Sequence, residues 1–213
     1  MICRPQEELP AVGRNGNNPT IGILAVQGDY ALHVAALDRI GARHCLVRHA
    51  EEFAGIHGLI LPGGESTTML KFLAEERLAD AILSFAREGK PVFGTCAGAI
   101  LLAKEIVNSD QERLGLMDIA IARNAYGRQI ESSVRWGECR ALSTQPVEMV
   151  FIRAPIIRRV GPRVRVLGKC DSLPVLVEEE NFLCSTFHPE LGSDSTIHQY
   201  FLNKVNQAFE RRS

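Results

Sequence analysis

Apolar residues in the first half of the chain fall into short solid blocks separated by helical stripes. Residues 21–26 are wholly apolar, as in a strand covered on both faces. Asp29 then opens a predicted helix ending near Gly41, with Leu32, Ala36 and Ile40 on one stripe. Residues 45–47 and 58–61 read as the next two strands. Pro62-Gly63-Gly64 breaks the third strand, and Ser66 is predicted to cap a helix carrying Met69, Leu70 and Leu73. A further helix turns Leu78, Ile82 and Phe85 to the core. Residues 91–94 give a fourth strand and 97–106 a fourth helix. Strands alternating with helices predict a parallel sheet wrapped by helices.

The second half changes character. Short β-like runs recur at 117–122, 147–152, 164–167, 174–177 and 182–187, separated by Gly, Pro and charged residues. They predict an antiparallel extension on the parallel core. Ile197, Phe201, Val205 and Ala208 then mark an amphipathic C-terminal helix. Residues 1–19 are rich in Pro, Gly and Asn without apolar periodicity, and read as a flexible leader outside the fold. The expected architecture is therefore α/β and three-layered. It has a mostly parallel sheet, flanking helices and a short antiparallel extension, in one domain spanning residues 20–213.

Composition narrows the function classes. The 213 residues suit one domain, large enough to fold without a metal or disulfide staple. Lys and Arg number 24 against 25 Asp and Glu, which argues against a protein built to grip nucleic acid or an anionic membrane. No apolar run approaches the roughly 18 residues of a membrane span, and no secretory signal is visible. Six cysteines carry no C-x-x-C pair, so neither a zinc site nor a disulfide framework is indicated. The expectation is a cytoplasmic chain with reduced thiols, one of them catalytic.

Gly94-Thr95-Cys96-Ala97-Gly98 has the spacing of a nucleophile elbow, with Cys for Ser. A tight strand-to-helix turn lifts the sulfur out of the sheet and sets it at a helix N-terminus, where the partial positive charge favours thiolate. The N–H of Ala97 is then available to a developing oxyanion. His188-Pro189-Glu190 follows an apolar strand; in extended backbone Glu190 points the same way as His188 and can orient its ring. Cys, His and acid in that order have the logic of a triad. The two glycines of Pro62-Gly63-Gly64-Glu65-Ser66-Thr67-Thr68, at a strand end, present N–H groups to an anion. Having no Cβ, that glycine pair could also flip a peptide at low cost and act as a switch.

Together these motifs resemble the class I (triad) glutamine amidotransferases, whose fold is flavodoxin-like. Several more segments narrow the likeness: Ala25-Val26-Gln27-Gly28-Asp29, Arg123-Asn124-Ala125-Tyr126-Gly127-Arg128-Gln129, Phe151-Ile152-Arg153-Ala154-Pro155 and Thr186-Phe187-His188-Pro189-Glu190. With them the chain resembles the glutaminase subunits of pyridoxal 5′-phosphate synthases from about Thr20 onward. The resemblance implies Cys96 as nucleophile, His188 as general base and acid, and Glu190 as the group orienting it. It also implies Gly64, Glu65, Ser66, Arg123, Ile152 and Arg153 as the glutamine site, with Gly64 and Ala97 forming the oxyanion hole. No metal or cofactor is implied. The implied partner is the synthase itself, a (β/α)₈ barrel in a double ring that receives the ammonia. Departures fall at Tyr126, at Ser132-Ser133-Val134 and at Gly192, away from the triad. Two alternatives stay open here: the glutaminase of another amidotransferase, of the histidine or anthranilate type, and a non-catalytic binding protein on the same fold.

Overall fold

A computed structural model describes residues 18–123 and 132–212; the leader up to residue 17 and the Asn124–Gln129 motif lie outside the described residues. In chain order the strands are β1 Ile21–Leu24, β2 His44–Val47, β3 Gly58–Leu61, β4 Val92–Thr95, β5 Ala103–Ile106 and β6 Met117–Ala122. They continue as β7 Ser132–Gly137, β8 Val147–Ile152, β9 Ile156–Val160, β10 Arg165–Cys170, β11 Leu173–Glu179 and β12 Phe182–Ser185. The helices are α1 Tyr30–Arg39, α2 Ser66–Glu75, α3 Leu78–Arg87, α4 Ala97–Leu102 and α5 Thr196–Glu210.

Seven strands form the main sheet in the order β10-β11-β12-β4-β3-β1-β2. From β12 to β2 the neighbours pair in parallel; β10 and β11 close one edge antiparallel. The period-two rule divides the core. On β3, Leu59 and Leu61 join Met69, Leu73, Leu78, Ile82 and Phe85 on the face covered by α2 and α3. Ile60 between them joins Leu37, Phe93, Phe201 and Val205 on the face covered by α1 and α5. This is the expected three-layer α/β architecture.

Four local expectations are corrected. The stretch 97–106 is not one helix: α4 ends at Leu102, Ala103 turns extended (φ −64°, ψ 141°), and β5 pairs with β6. Pairing with β6 gives the backbone of 103–106 the partners that further helix would have supplied. The cap of α2 is Glu65, whose carboxylate accepts the N–H groups of Thr67 and Thr68, and Ser66 is the first helical residue. On α1 the buried residues are His33, Ala36 and Leu37, while Leu32 is 36% exposed. Hydropathy favours Leu32, but His33 is the residue with polar partners inside. The later strands also do not make one extension. Only β10, β11 and β12 join the main sheet; β5-β6-β9 and β7-β8 form two small sheets of their own. Strands β7 and β9 escape the sequence pattern, since both carry arginines and little apolar alternation.

Candidate active site

Strand β4 delivers Cys96 to the start of α4 with φ 47° and ψ −98°, strained for a residue with a Cβ. The elbow needs both its glycines. A Cβ on Gly98 would stand 2.1 Å from the Leu61 carbonyl oxygen, and one on Gly94 would stand 2.6 Å from the Gly98 backbone. Ala97 is the first residue of α4, so its N–H has no acceptor within the helix.

The other half of the site arrives from the neighbouring strand. Strand β12 runs parallel to β4 with Ser185 opposite Thr95, and Cys96 N–H donates to Ser185 O at 2.9 Å. Three residues later His188 N–H donates to Val150 O on β8 at 2.8 Å, pinning the start of the motif. Pro189–Leu191 is a turn of 3₁₀ helix rather than extended chain, yet it brings Glu190 Oε1 to 2.7 Å from His188 Nδ1. Both residues are 3% exposed and Cys96 is 7% exposed. Burial disfavours the His188 imidazolium, but bonds and charge from Cys96 and Glu190 outweigh it and hold its pKa up, at about 10. Burial likewise pushes the Glu190 carboxyl up, but His33 and His188 more than offset this and hold it below its usual range.

The glycine turn after β3 lies against the imidazole. A Cβ on Gly63 would stand 2.4 Å from His188 Cε1, and one on Gly64 (φ 147°) would strike the Gln27 amide at 2.7 Å. The Gly63 carbonyl accepts Asp29 N–H at 3.1 Å, and Glu65 N–H donates to Gln27 Oε1 at 3.2 Å. Glu65 accepts from Thr67 Oγ1 at 2.5 Å and Thr68 Oγ1 at 2.7 Å besides the two backbone N–H groups. Those bonds hold its carboxyl at about 2 although it faces solvent. Arg123 lies 3.9 Å from Glu65 and donates to Gln111 Oε1, an oxygen that Ser66 Oγ also reaches at 3.4 Å. The Ile152 carbonyl is 3.9 Å from Cys96 Sγ, and Arg153 follows with φ 43°.

Cys96, His188, Glu190, the Gly63-Gly64 turn and the Ile152 carbonyl thus meet beyond β4 and β12, with Glu65, Ser66 and Arg123 following from the turn, whereas Arg153 is placed only by its backbone next to Ile152. Others there were not singled out. Asp29 Oδ2 is 3.7 Å from His188 Nδ1, and Gln27 and Gln111 brace the turn and Arg123. Behind Glu190 lie His33 and His198, both fully buried. Their signal was a histidine within an otherwise apolar helical face, once in each of two helices. Asp29, His188 and Glu190 could each offer a metal one ligand atom, all within 4.8 Å of one another. A cation at His188 Nδ1 would have to displace the bond to Glu190.

Comparison with known proteins places residues 23–207 in a match to the SNO glutamine amidotransferase family. A "Pyridoxal 5′-phosphate synthase subunit PdxT" of Solibacter usitatus is 53% identical over 192 residues, covering 87% of this chain and 98% of that protein. The protein of the same description from Thermotoga petrophila is 49% identical over 185 residues, covering 87% and 98%. A crystal structure described as a glutamine amidotransferase superposes with a TM-score of 0.83 at 46% identity, over 87% of this chain and 98% of that one. A glutamine amidotransferase from Thermotoga maritima shares the fold, with TM-score 0.56 at 14% identity over 93% and 86% of the two chains.

Proposed function

Because the chain belongs to the SNO glutamine amidotransferase family, we propose that it hydrolyses L-glutamine to L-glutamate and ammonia and feeds that ammonia to pyridoxal 5′-phosphate synthesis, with Cys96, His188 and Glu190 as its triad. The observation that carries the site assignment is the strained cysteine beside a buried His188–Glu190 pair. With His188 held up at about 10, its ring carries a proton at neutral pH before the substrate arrives.

The steps follow from that starting proton. The Cys96 thiolate attacks the carboxamide carbon, its negative charge passes to the carbonyl oxygen, and that oxyanion takes hydrogen bonds from the N–H groups of Ala97 and Gly64. His188 gives its proton to the departing nitrogen, which leaves as ammonia, and a γ-glutamyl thioester remains. Neutral His188 then takes a proton from water, whose oxygen attacks the thioester. Collapse breaks the carbon–sulfur bond and frees the Cys96 thiolate, glutamate leaves after its new carboxyl gives its proton to solvent, and His188 keeps the proton taken from water for the next turnover. Glu190 holds the Nδ1–H of His188 throughout, leaving Nε2 for proton transfer. Arg123 and Arg153 suit the α-carboxylate, and Glu65, ionised down to about pH 2, suits the α-ammonium. Ser66 and the Ile152 backbone complete the cradle.

Relatives described as synthase subunits support a second chain as partner. That partner is read as a (β/α)₈ barrel in a double ring, with one glutaminase on each barrel. Pyridoxal phosphate is then the product of the complex, not a cofactor of this chain. The setting is read as cytoplasmic, where a thiol nucleophile stays reduced; among the described residues no helix is long and apolar enough to cross a membrane. Glutaminases of the histidine or anthranilate type are not favoured, because identity near 50% over most of the chain is to the pyridoxal phosphate subunits. The test is ammonia release from glutamine in the presence of the synthase, coupled to pyridoxal phosphate formation. Absence of both would overturn the reading.

A further inference from the structure

Beyond the triad the buried polar groups continue inward. His33 Nε2 lies 3.2 Å from Thr95 Oγ1 and 3.5 Å from Glu190 Oε1, and His33 Nδ1 lies 3.1 Å from His198 Nε2. Both histidines are fully buried, packed edge-on against Phe93. Burial pushes both pKa values down, that of His198 to about 3, so each ring is neutral with one N–H.

Donor counting then decides which nitrogen bears it. Between His33 Nδ1 and His198 Nε2 there is one proton. If His33 supplied it, the N–H of His198 would sit on Nδ1, which is buried without a partner. A buried, unpaired N–H costs more than a bare acceptor. His33 would also turn a lone pair toward the Glu190 carboxylate. If His198 donates from Nε2 instead, its orphan is only a lone pair. The His33 proton then lies on Nε2, on the edge that faces Thr95 and Glu190. Every N–H in the row points toward the triad.

Taking the glutaminase reading as its base, we infer that His33, fixed by His198, is a positioning residue for the hydrolysis: its Nε2–H faces Glu190 Oε1, sets the direction of that carboxylate, and so holds the Nδ1–H tautomer of His188. Glu190 Oε2 is buried without a partner, so the carboxylate is directed from Oε1, where His188 Nδ1 at 2.7 Å and His33 Nε2 at 3.5 Å both lie. The charged and titratable groups around the row are His188 and Asp29 on the open side, Cys96 beyond His188, and Arg39, whose charge reaches His198. The row itself stays neutral among them.

The experiment uses the full chain in complex with the synthase. A Gln amide carries its N–H where His carries Nε2, and an Asn amide where His carries Nδ1. His33→Leu and His33→Asn should lower kcat by about ten- to a hundredfold, the scale seen for outer partners of functional histidines at metal sites and below the roughly 10⁴-fold loss for a group bonded directly to a triad histidine. KM for glutamine should stay within about twofold. His33→Gln should recover most of the rate. In the Glu190→Gln background, His33→Leu should cost less than about twofold further, because the two act as one unit. Equal rates for the Asn and Gln variants, or a full independent loss on top of Glu190→Gln, would overturn the inference. Nitrogen-15 NMR of the unaltered protein gives a readout that no folding defect obscures: His33 and His198 should both be Nε2–H tautomers from pH 6 to 9. An Nδ1–H on His33 would refute it. Should Glu190→Gln or Cys96→Ala leave glutamine hydrolysis intact, the glutaminase site itself is wrong, which is a different outcome from additive loss at His33.

Discussion

At the scale of single residues, the proposed mechanism divides the chemistry between Cys96 and His188. Cys96→Ala should abolish ammonia release while glutamine still binds, measured by calorimetry alongside the ammonia assay; turnover near the original rate would remove Cys96 as nucleophile. His188→Asn should cost more than Glu190→Gln, because His188 moves protons in both half-reactions and such groups contribute about 10²–10⁴-fold. Alkylation should also be selective. Burial pushes the Cys139 thiol up to about 11 and raises Cys170 and Cys184 as well, so Cys96 should react before all three in a mass-spectrometric time course. Stability should follow the His188 proton. Its folded pKa lies near 10 against 6.5 for the unfolded chain, so its contribution is complete below 6.5 and is lost as pH rises through 10. The Tm of the unaltered protein should therefore fall more steeply between pH 7 and 10 than that of His188→Gln. Parallel curves would show that the imidazolium is not held.

At the scale of elements, the elbow and the α2 cap give opposite kinds of dependence. Gly98 lies so close to Leu61 O that Gly98→Ala must push α4 away from β3. Overpacking of that kind costs about 1–3 kcal/mol, and here it also displaces Cys96, so Tm and kcat should fall together. Glu65→Ala removes a cap worth about 1 kcal/mol and a candidate ammonium acceptor, so Tm should drop modestly while KM rises. The elements that were legible in sequence are those whose pattern is local: the solid apolar blocks of β1, β3 and β4, and the stripe Ile197, Phe201, Val205 on α5. Those that were not depend on distant partners. The 103–106 stretch leaves its helix because β6 is there to pair with it, and β7 reads as polar because Ser132, Ser133 and Arg135 dilute its pattern, while Val134 and Trp136 face outward, 59% and 67% exposed, with no core to mark them. The Cys96 turn was legible because glycine spacing marks a tight turn from within. The His33–His198 row was not, because it exists only when α1 and α5 lie on the same face of the sheet.

At the scale of the whole molecule, hydrolysis should depend on the partner. Idle release of ammonia, mostly ammonium at neutral pH, would waste glutamine. The Gly63-Gly64 peptide borders His188, and its carbonyl is held by Asp29 N–H in this structure. With its N–H directed away from that contact, the same peptide can serve an oxyanion only in the orientation the surrounding chain selects. Loss of one such donor costs about 10²–10³ in rate. The expected result is a low kcat for the chain alone and a rise of that order with saturating synthase; an unchanged kcat would remove the turn as a switch.

The pairing of β12 with β4 also has a meaning in time. Cys96 leaves the ribosome long before His188, and the two meet only when residues 182–185 slot in beside 92–95. Because β12 sits between β4 and β11, the sheet is not continuous until that late segment arrives. A chain still being made, or one clipped ahead of β12, carries Cys96 without the His188–Glu190 pair proposed to act with it. On the proposed mechanism, synthesis order thus withholds hydrolysis until residues 182–190 are in place, through a long-range contact of the kind that slows folding.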